Sequence, residues 1–443
     1  MDKTRRNFVS LGGAGLLAAS VSAPLDLTQA QAAAAKAQAL PKATAGAQTH
    51  PGQPPKVHPV NGWTLPYRWK NGVKEFHLIA EEVEHEFAPG TKVRCWGYNG
   101  STPGPTIEAV EGDRVRILVT NGLKEHTSMH WHGLLLPSGM DGVAGLNQPA
   151  IKPGETFAYE FTLKQHGTHM YHPHADEMTQ LAVGMMGMFI IHPKKEPKPV
   201  GRDYCFLLHN WAVHPGTYRP DPAVMVEFDL WTFNSKVFPA IEPLVARTGE
   251  RVRVRIGNLS MWNHPIHMHG VQFQVTGSDG GPWPEHQWRR ETTEIIGVGQ
   301  TRDIEFIAEP GDWAFHCHMS HHTMNAMGHE VPNGLGVNQR GVAQDIRNML
   351  PDFIAMGEHG MAEHQAHVAA GHHQGPPNTM PMMTGTGPYG SLEMGGMFTV
   401  VKVRDDIAPG DYSDPGWYQA PDGTLASRIS SDPSFGSPPR KPG

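Results

Sequence analysis

The chain repeats itself, and the repeat decides most of what it can fold into. Gly112-Asp113-Arg114-Val115-Arg116-Ile117 recurs as Gly249-Glu250-Arg251-Val252-Arg253-Val254, a shift of 137 residues that also carries Asn121 to Asn258, His130 to His267, His132 to His269 and Gly133 to Gly270. Further on the shift becomes 144, taking Gly167 to Gly311, Tyr171 to Phe315, His172 to His316 and His174 to His318. Met186-Gly187-Met188-Phe189 returns as Gly395-Gly396-Met397-Phe398. Self-similarity over such a span means two copies of one domain. Each copy reads as strands: Thr106–Ala109, Arg114–Thr120, Thr156–Leu163 and Met188–His192 alternate or run apolar between turn residues. The 50 Gly and 39 Pro suit many short strands joined by turns.

The expected fold is therefore all-β, with a first domain over 62–198 and a second over 199–405. Only 90 residues separate His174 from His264, about what one copy needs before its first histidine pair, so no third domain fits between them. The second copy holds an insertion at about 328–393, and the Pro/Gly/Ser-rich stretch 406–443 reads as an irregular tail. Residues 1–35 read as an export signal. Arg5-Arg6 precedes a short apolar run, Leu11 to Ala23, and then an Ala-rich stretch, the pattern of the twin-arginine route. That run is too short to span a bilayer, and 36–61 reads as a tether. Export leads to the periplasm or the medium, with no membrane span. A net charge of −7 and the lack of any basic stripe give no reason to expect a nucleic acid partner.

Four histidine clusters follow in order: His130-Trp131-His132, His172-Pro173-His174, His264-Pro265-Ile266-His267-Met268-His269, and His316-Cys317-His318 with His322 and Met327 after it. In a strand, residues i and i+2 leave one face, so each H-x-H pair presents two imidazoles side by side. One such pair is weak evidence, whereas four at equivalent positions of a repeat point to metal. Alternation sends Cys317 to one face and His316 and His318 to the other. A thiolate, two imidazoles and a distant thioether form the blue-copper set, which His264, Cys317, His322 and Met327 supply.

These clusters resemble the four copper-binding motifs of the multicopper oxidases, the laccase and cuprous oxidase superfamily. The likeness covers about 62–328 and the last strand, and the segment 140–149, Met-Asp-Gly-Val-Ala-Gly-Leu-Asn-Gln-Pro, is similar to the family's segment after its first motif. The resemblance implies two cupredoxin-like Greek-key domains and four coppers per chain. His130 and His267 would hold the type 2 copper. His132, His172 and His318 would hold one type 3 copper, and His174, His269 and His316 the other. The first-copy equivalents of His264, Cys317 and His322 are Thr127, Pro173 and Met178, so the blue site belongs to the second domain alone. That pattern departs from copper nitrite reductases and matches two-domain laccases, which close a ring of three chains.

The implied reaction is one-electron oxidation of a small reductant, entering at a solvent edge of His322, coupled to four-electron reduction of O2 to water. Asp141 is the candidate proton relay, although Asp-Gly equally makes a turn; Asp176 and Glu177 are further candidates. Relatives often place a carboxylate beside the last motif, but Met319-Ser320-His321 offers none. The insertion carries Met349, Met356, Met361, Met380, Met382 and Met383 with His359, His364, His367, His372 and His373. Thioethers favour Cu(I), so cuprous ion is one expected reductant, and a phenol or Mn(II) is the alternative. If the methionines only pack, the insertion is a lid. A copper-binding electron carrier without turnover is the competing class. Cys95 and Cys205 either pair as a disulfide outside the cytoplasm or are small buried strand residues.

Overall fold

A computed structural model describes residues 57–196, 198–325, 348, 377, 378, 380, 385–392 and 394–426. They lie within one compact unit, Gly52–Gly443. The export signal, most of the tether, Met327, the end of the tail and all the insertion's Met and His residues except Met380 lie outside the described residues.

The alternating segments are strands, and the alternation is realised as burial. Arg114–Asn121 turns Val115, Ile117 and Val119 inward, each 0% exposed, with the residues between them facing out. In the first half, one sheet runs Arg68–Lys70, Val73–Ala88, Arg114–Asn121, Thr156–Thr162, with Thr91–Tyr98 paired to Val73–Ala88. It packs on a second sheet of Ile107–Val110, Gly187–His192, Gly167–His172 and His130–His132. Phe76, Tyr159 and Phe161 from one meet Trp131, Tyr171 and Phe189 from the other in a shared core. The second half repeats the plan. Arg202–Trp211, Arg251–Asn258, Thr301–Ile307 and Phe273–Ser278 form one sheet, and Leu244–Arg247, Phe398–Arg404, Gly311–Cys317, His264–Met268 and Thr293–Ile296 form the other. Phe206, Val254 and Phe273 pack on Ile266, Phe315 and Val401 between them. The molecule is all-β, as the sequence implied.

The repeat holds at the level of single residue pairs. His130 sits opposite His172 and Trp131 opposite Tyr171, while His267 sits opposite His316 and Met268 opposite Phe315. Gly133 and Gly270, which end the two first-motif strands, both adopt left-handed backbone (φ 83° and 78°), open to glycine at little cost.

A third core joins the halves. Met170, Met188 and Ile190 on the outer face of the first half meet Cys205, Leu207 and Trp211 of the second. Beside it runs a buried polar seam: Thr168 donates to Asp303 Oδ1 at 2.6 Å, Arg255 donates to Thr168 Oγ1 at 3.0 Å, and Arg255 clasps Asp203 at 2.8 and 2.9 Å. Removing one partner of such a network costs about 3–5 kcal/mol because it strands the other charge. The seam fixes Gly167–His172, the strand that carries His172, against the second half.

Two segments show more order than composition implied. Val57 and Val60, inside the expected tether, are buried, and His58–Pro59 pairs in parallel with Tyr204 and Cys205. In the tail, residues 406–426 carry no strand or helix, yet Tyr412 stacks on His58 at 4.1 Å and under the Arg202 guanidinium. Cys95 and Cys205 are both buried, unbonded and part of the core between the halves, so they are packing residues and not a disulfide. No described helix is long and apolar enough to cross a membrane.

Candidate metal centres

Three groups of donor atoms converge, each within 4.8 Å: His264, Cys317 and His322; His130, His132 and His172; and His267, His269 and His316. The first is the expected blue set. Cys317 Sγ lies 3.7 Å from His264 Nδ1 and 3.3 Å from His322 Nδ1, and the two imidazole nitrogens are 3.1 Å apart. All three residues are 0% exposed. His264 and Cys317 come from neighbouring strands, His264–Met268 and Gly311–Cys317. His322 comes from the single helical turn Ser320–Thr323 that follows. Gly396 lets the start of the last strand close over that turn; a Cβ there would lie 2.0 Å from the His322 carbonyl oxygen. Met327 lies outside the described residues.

Burial pushes the Cys317 thiol up to about 12 and holds His264 down at about 3 and His322 at about 2. Each shift disfavours an isolated charge. A thiolate is stable here only beside a cation that two neutral imidazoles also ligate, and His2Cys is the donor set suited to copper. The residues fit the metal.

In the two histidine groups the backbone selects the ligating nitrogen. His130 Nδ1–H donates to the Asp141 carbonyl at 2.8 Å and His267 Nδ1–H to the Thr292 carbonyl at 2.6 Å. His172 and His316 each donate Nδ1–H to the carbonyl of the next residue, Pro173 and Cys317, at 2.9 and 2.8 Å. All four Nε2 lone pairs are thereby left free and aimed, the usual arrangement behind metal-binding histidines. His132 Nδ1 and His172 Nε2 approach to 3.2 Å, as do His269 Nε2 and His316 Nε2. Burial holds His172 down at about 3 and lowers His132 and His316. Their neutral, ligating forms are favoured.

His174 and His318 join their respective groups through ring contacts. These lie between 5.2 and 6.3 Å among His130, His132, His172 and His174, and between 4.8 and 5.5 Å among His267, His269, His316 and His318. The eight histidines are thus gathered as two sets of four, one per half. Among the described residues no ring contact links the sets. His269 and His318 are exposed, and the His174 side chain is 38% exposed.

The candidate proton carriers are near the first set. Asp141 Oδ1 is 3.5 Å from His130 Nδ1, but the hydrogen bond goes to its carbonyl. Glu177 reaches His172 Nδ1 at 3.5 Å and His174 Nε2 at 3.4 Å. Asp176 turns instead to Thr179, accepting its hydroxyl at 3.0 Å. One expectation fails: His322 has no solvent edge. Its ring is buried face to face with Trp231, at 4.6 Å and 19°. Met380, counted among the candidate soft ligands, is also a core residue: it is 5% exposed, and its sulfur accepts the Thr91 hydroxyl at 2.9 Å.

Sequence reasoning missed Trp231 and Ser260. Ser260 Oγ is 2.7 Å from His264 Nε2 and 2.6 Å from Asn258 Oδ1. A signal existed: Asn121 and Asn258 cap equivalent turns, accepting from Leu123 N and Ser260 N at 2.9 Å, so the copy with the blue set has a hydroxyl where the other has leucine.

Family models described as multicopper oxidase match residues 80–196 and 216–335, together more than half of the chain. Copper resistance protein A of Escherichia coli is 42% identical over 124 residues, 28% of this chain and 20% of that protein. An L-ascorbate oxidase of Brassica rapa subsp. pekinensis is 42% identical over 140 residues, 30% of this chain and 24% of that protein. The chain thus spans about a quarter or less of the length of these two relatives. Among solved structures, a blue copper oxidase from Nitrosomonas europaea has a TM-score of 0.55 at 26% identity, covering 74% of this chain and 85% of that one. The multicopper oxidase mgLAC has the same TM-score and identity, covering 76% and 87%.

Proposed function

The chain belongs to the multicopper oxidase family, and from that premise we propose that it oxidises a small reductant one electron at a time and reduces O2 to water. The observation that carries this reading is the convergence of Cys317, His264 and His322 next to His316 and His318. Copper, when bound, supplies the one-electron redox chemistry at the thiolate site and the reduction of O2 at the histidine sets.

The residues have separate tasks. His264, Cys317 and His322, with Met327 as fourth ligand, hold the type 1 ion. His130 and His267 hold type 2; His132, His172 and His318 hold one type 3 ion, and His174, His269 and His316 the other. Cys317 joins the sites covalently, since His316 and His318 flank it, and its carbonyl also accepts the His316 Nδ1–H at 2.8 Å. Asp141, 3.5 Å from His130, delivers protons on this reading.

The active unit we propose is a homotrimer. A type 3 pair needs histidines from both sets, yet the sets of one chain are gathered separately, one per half. Exposed apolar side chains lie near both sets: Leu135 and Met178 closely follow His132 and His174, Ile295 pairs with Pro265 on the neighbouring strand, and Val298 donates its N–H to Asn263. Such residues are what a covered face uses. A first half meeting the second half of the next chain closes by rotation into a ring. Metal then belongs to the interface, and loading drives assembly. Sedimentation of the loaded protein tests this: the trimer carries four coppers per chain, and a fully active four-copper monomer overturns it.

The reductant we favour is Cu(I), in a protein exported by the twin-arginine route to the periplasm or the medium. Relatives named copper resistance protein A support this, with the thioether-rich stretch of sequence after the last motif. A relative named Laccase-1, of Cryptococcus neoformans var. grubii, favours a laccase-like phenol or Mn(II) oxidase as the second reading. Oxygen uptake with Cu(I), Mn(II) and a bulky phenol side by side ranks them. A non-catalytic carrier would have no use for eight histidines in two sets, four of them with the ligating nitrogen selected by a backbone carbonyl.

A further inference from the structure

Resting on the oxidase reading, we propose that electrons enter through an aromatic stack, with His321 outside and Trp231 within, and not at an edge of His322. The His322 ring is 0% exposed and Trp231 is 2% exposed, so neither offers a solute a surface. They lie face to face at 4.6 Å, close enough for direct contact of the two π systems. His321 is exposed. Its ring stands perpendicular to Trp231 at 5.3 Å, 4.3 Å from His322 and 6.0 Å from Trp262. Trp262 is itself 6.3 Å from His322. The group that a reductant can touch in this stack is the His321 imidazole, flanked by partly exposed Trp262 and by Met261, which is 45% exposed.

Two further observations agree. Among the described residues Trp231 Nε1 and His322 Nε2 have no hydrogen-bond partner, while His264, the other imidazole of the set, is anchored by Ser260. The stack is also confined to the half that has the thiolate site: the repeat puts Glu177 at the position of His321 and Met178 at that of His322.

The entry surface suits a small one-electron donor: a soft metal cation ligated by the His321 imidazole, or a phenol resting on the Trp262 edge. Each passage would take one electron from the donor to the copper that His264, Cys317 and His322 would hold, lowering that ion by one oxidation state. No bond is made or broken in the stack, and a proton lost by a phenol goes to solvent. His321 and Trp231 therefore set which donors react and how fast, without ligating the metal.

The test is anaerobic stopped-flow reduction of copper-loaded protein by hexacyanoferrate(II) and by 2,6-dimethoxyphenol, following the thiolate-to-copper band. The band position, the paramagnetic spectrum of the type 1 ion and its midpoint potential are measured on the same samples. His321→Ala and Trp231→Leu are expected to slow bleaching about tenfold or more, as displaced reaction partners do, with the spectra and the potential unmoved. Trp231→Phe, which keeps a ring on His322, restores part of the rate. Wild-type rates in both variants, with the band intact, overturn the proposal. Should Trp231→Leu disturb the band, the exposed His321 decides alone, and a wild-type rate in His321→Ala overturns the proposal. Failure of the underlying oxidase reading appears earlier, as a loaded wild-type protein with no thiolate band.

Discussion

Ser260→Ala isolates the support of one copper ligand from the ligand itself. The hydroxyl accepts from His264 Nε2–H at 2.7 Å, and its own proton goes to Asn258 Oδ1 at 2.6 Å or to the Trp262 carbonyl at 2.8 Å. Alanine leaves Nε2–H without an acceptor on a ring that is 0% exposed, and an unsatisfied buried donor costs about 1–3 kcal/mol. His264 also loses the bond that fixes its tautomer, and removing the hydrogen-bond partner of a ligating imidazole lowers metal affinity about 10–100-fold. The two figures agree, since a tenfold change corresponds to about 1.4 kcal/mol. Urea denaturation of the metal-free protein reads the first effect. Competition between the type 1 site and a chelator, followed by the thiolate band, reads the second. A variant with wild-type stability and wild-type copper retention would refute the view that Ser260 holds His264 in place.

Other outcomes follow from the same geometry. Cys317→Ser abolishes the blue colour and steady-state turnover while the histidine sets keep most of their copper; a variant that stays blue would require Cys95 or Cys205 as ligand, although both are buried in the core between the halves. Deleting about residues 345–385 lowers Cu(I) oxidation relative to bulky-phenol oxidation, measured by oxygen uptake, and an unchanged ratio leaves the segment a structural cover. That deletion also removes Asn378, which binds the Lys92 backbone at 2.9 and 3.0 Å, and Met380, so some loss of thermal stability accompanies it. Burial holds His85 and His209 down at about 4 in the folded chain. Between about pH 6.5 and pH 4 the unfolded chain therefore binds more protons. Stability of the metal-free protein is full above that window and falls as pH drops through it, with a shallower slope in a His85→Gln, His209→Gln variant; flat stability across the window would contradict this.

The repeat made the sheet architecture legible, because a shift that brings His130 onto His267 and His172 onto His316 also predicts which strands face each other. The ligand set was legible for the same reason: alternation alone separates Cys317 from His316 and His318. What escaped was contact between residues distant in sequence. Trp231 lies 91 residues before His322 and shares no periodicity with it. The solvent edge expected of His322 came with the family resemblance, whereas Trp231 and the turn closed by Gly396 bury the ring. Met380 sits in a segment whose composition suggested metal binding, but packing against the face between the halves determines what it does. His58–Pro59 is too short a strand to leave a pattern, and only its partners Tyr204 and Cys205 reveal it.

The central claim, that electrons collected at Cys317 are used to reduce O2 to water, is tested most directly by counting them. Fully loaded protein, given a limiting one-electron donor in a closed oxygen electrode with peroxide assayed in parallel, should consume one O2 for every four donor equivalents and release no peroxide. A blue protein that accepts electrons from the donor but consumes no oxygen, or that returns peroxide at one per two equivalents, would contradict the account.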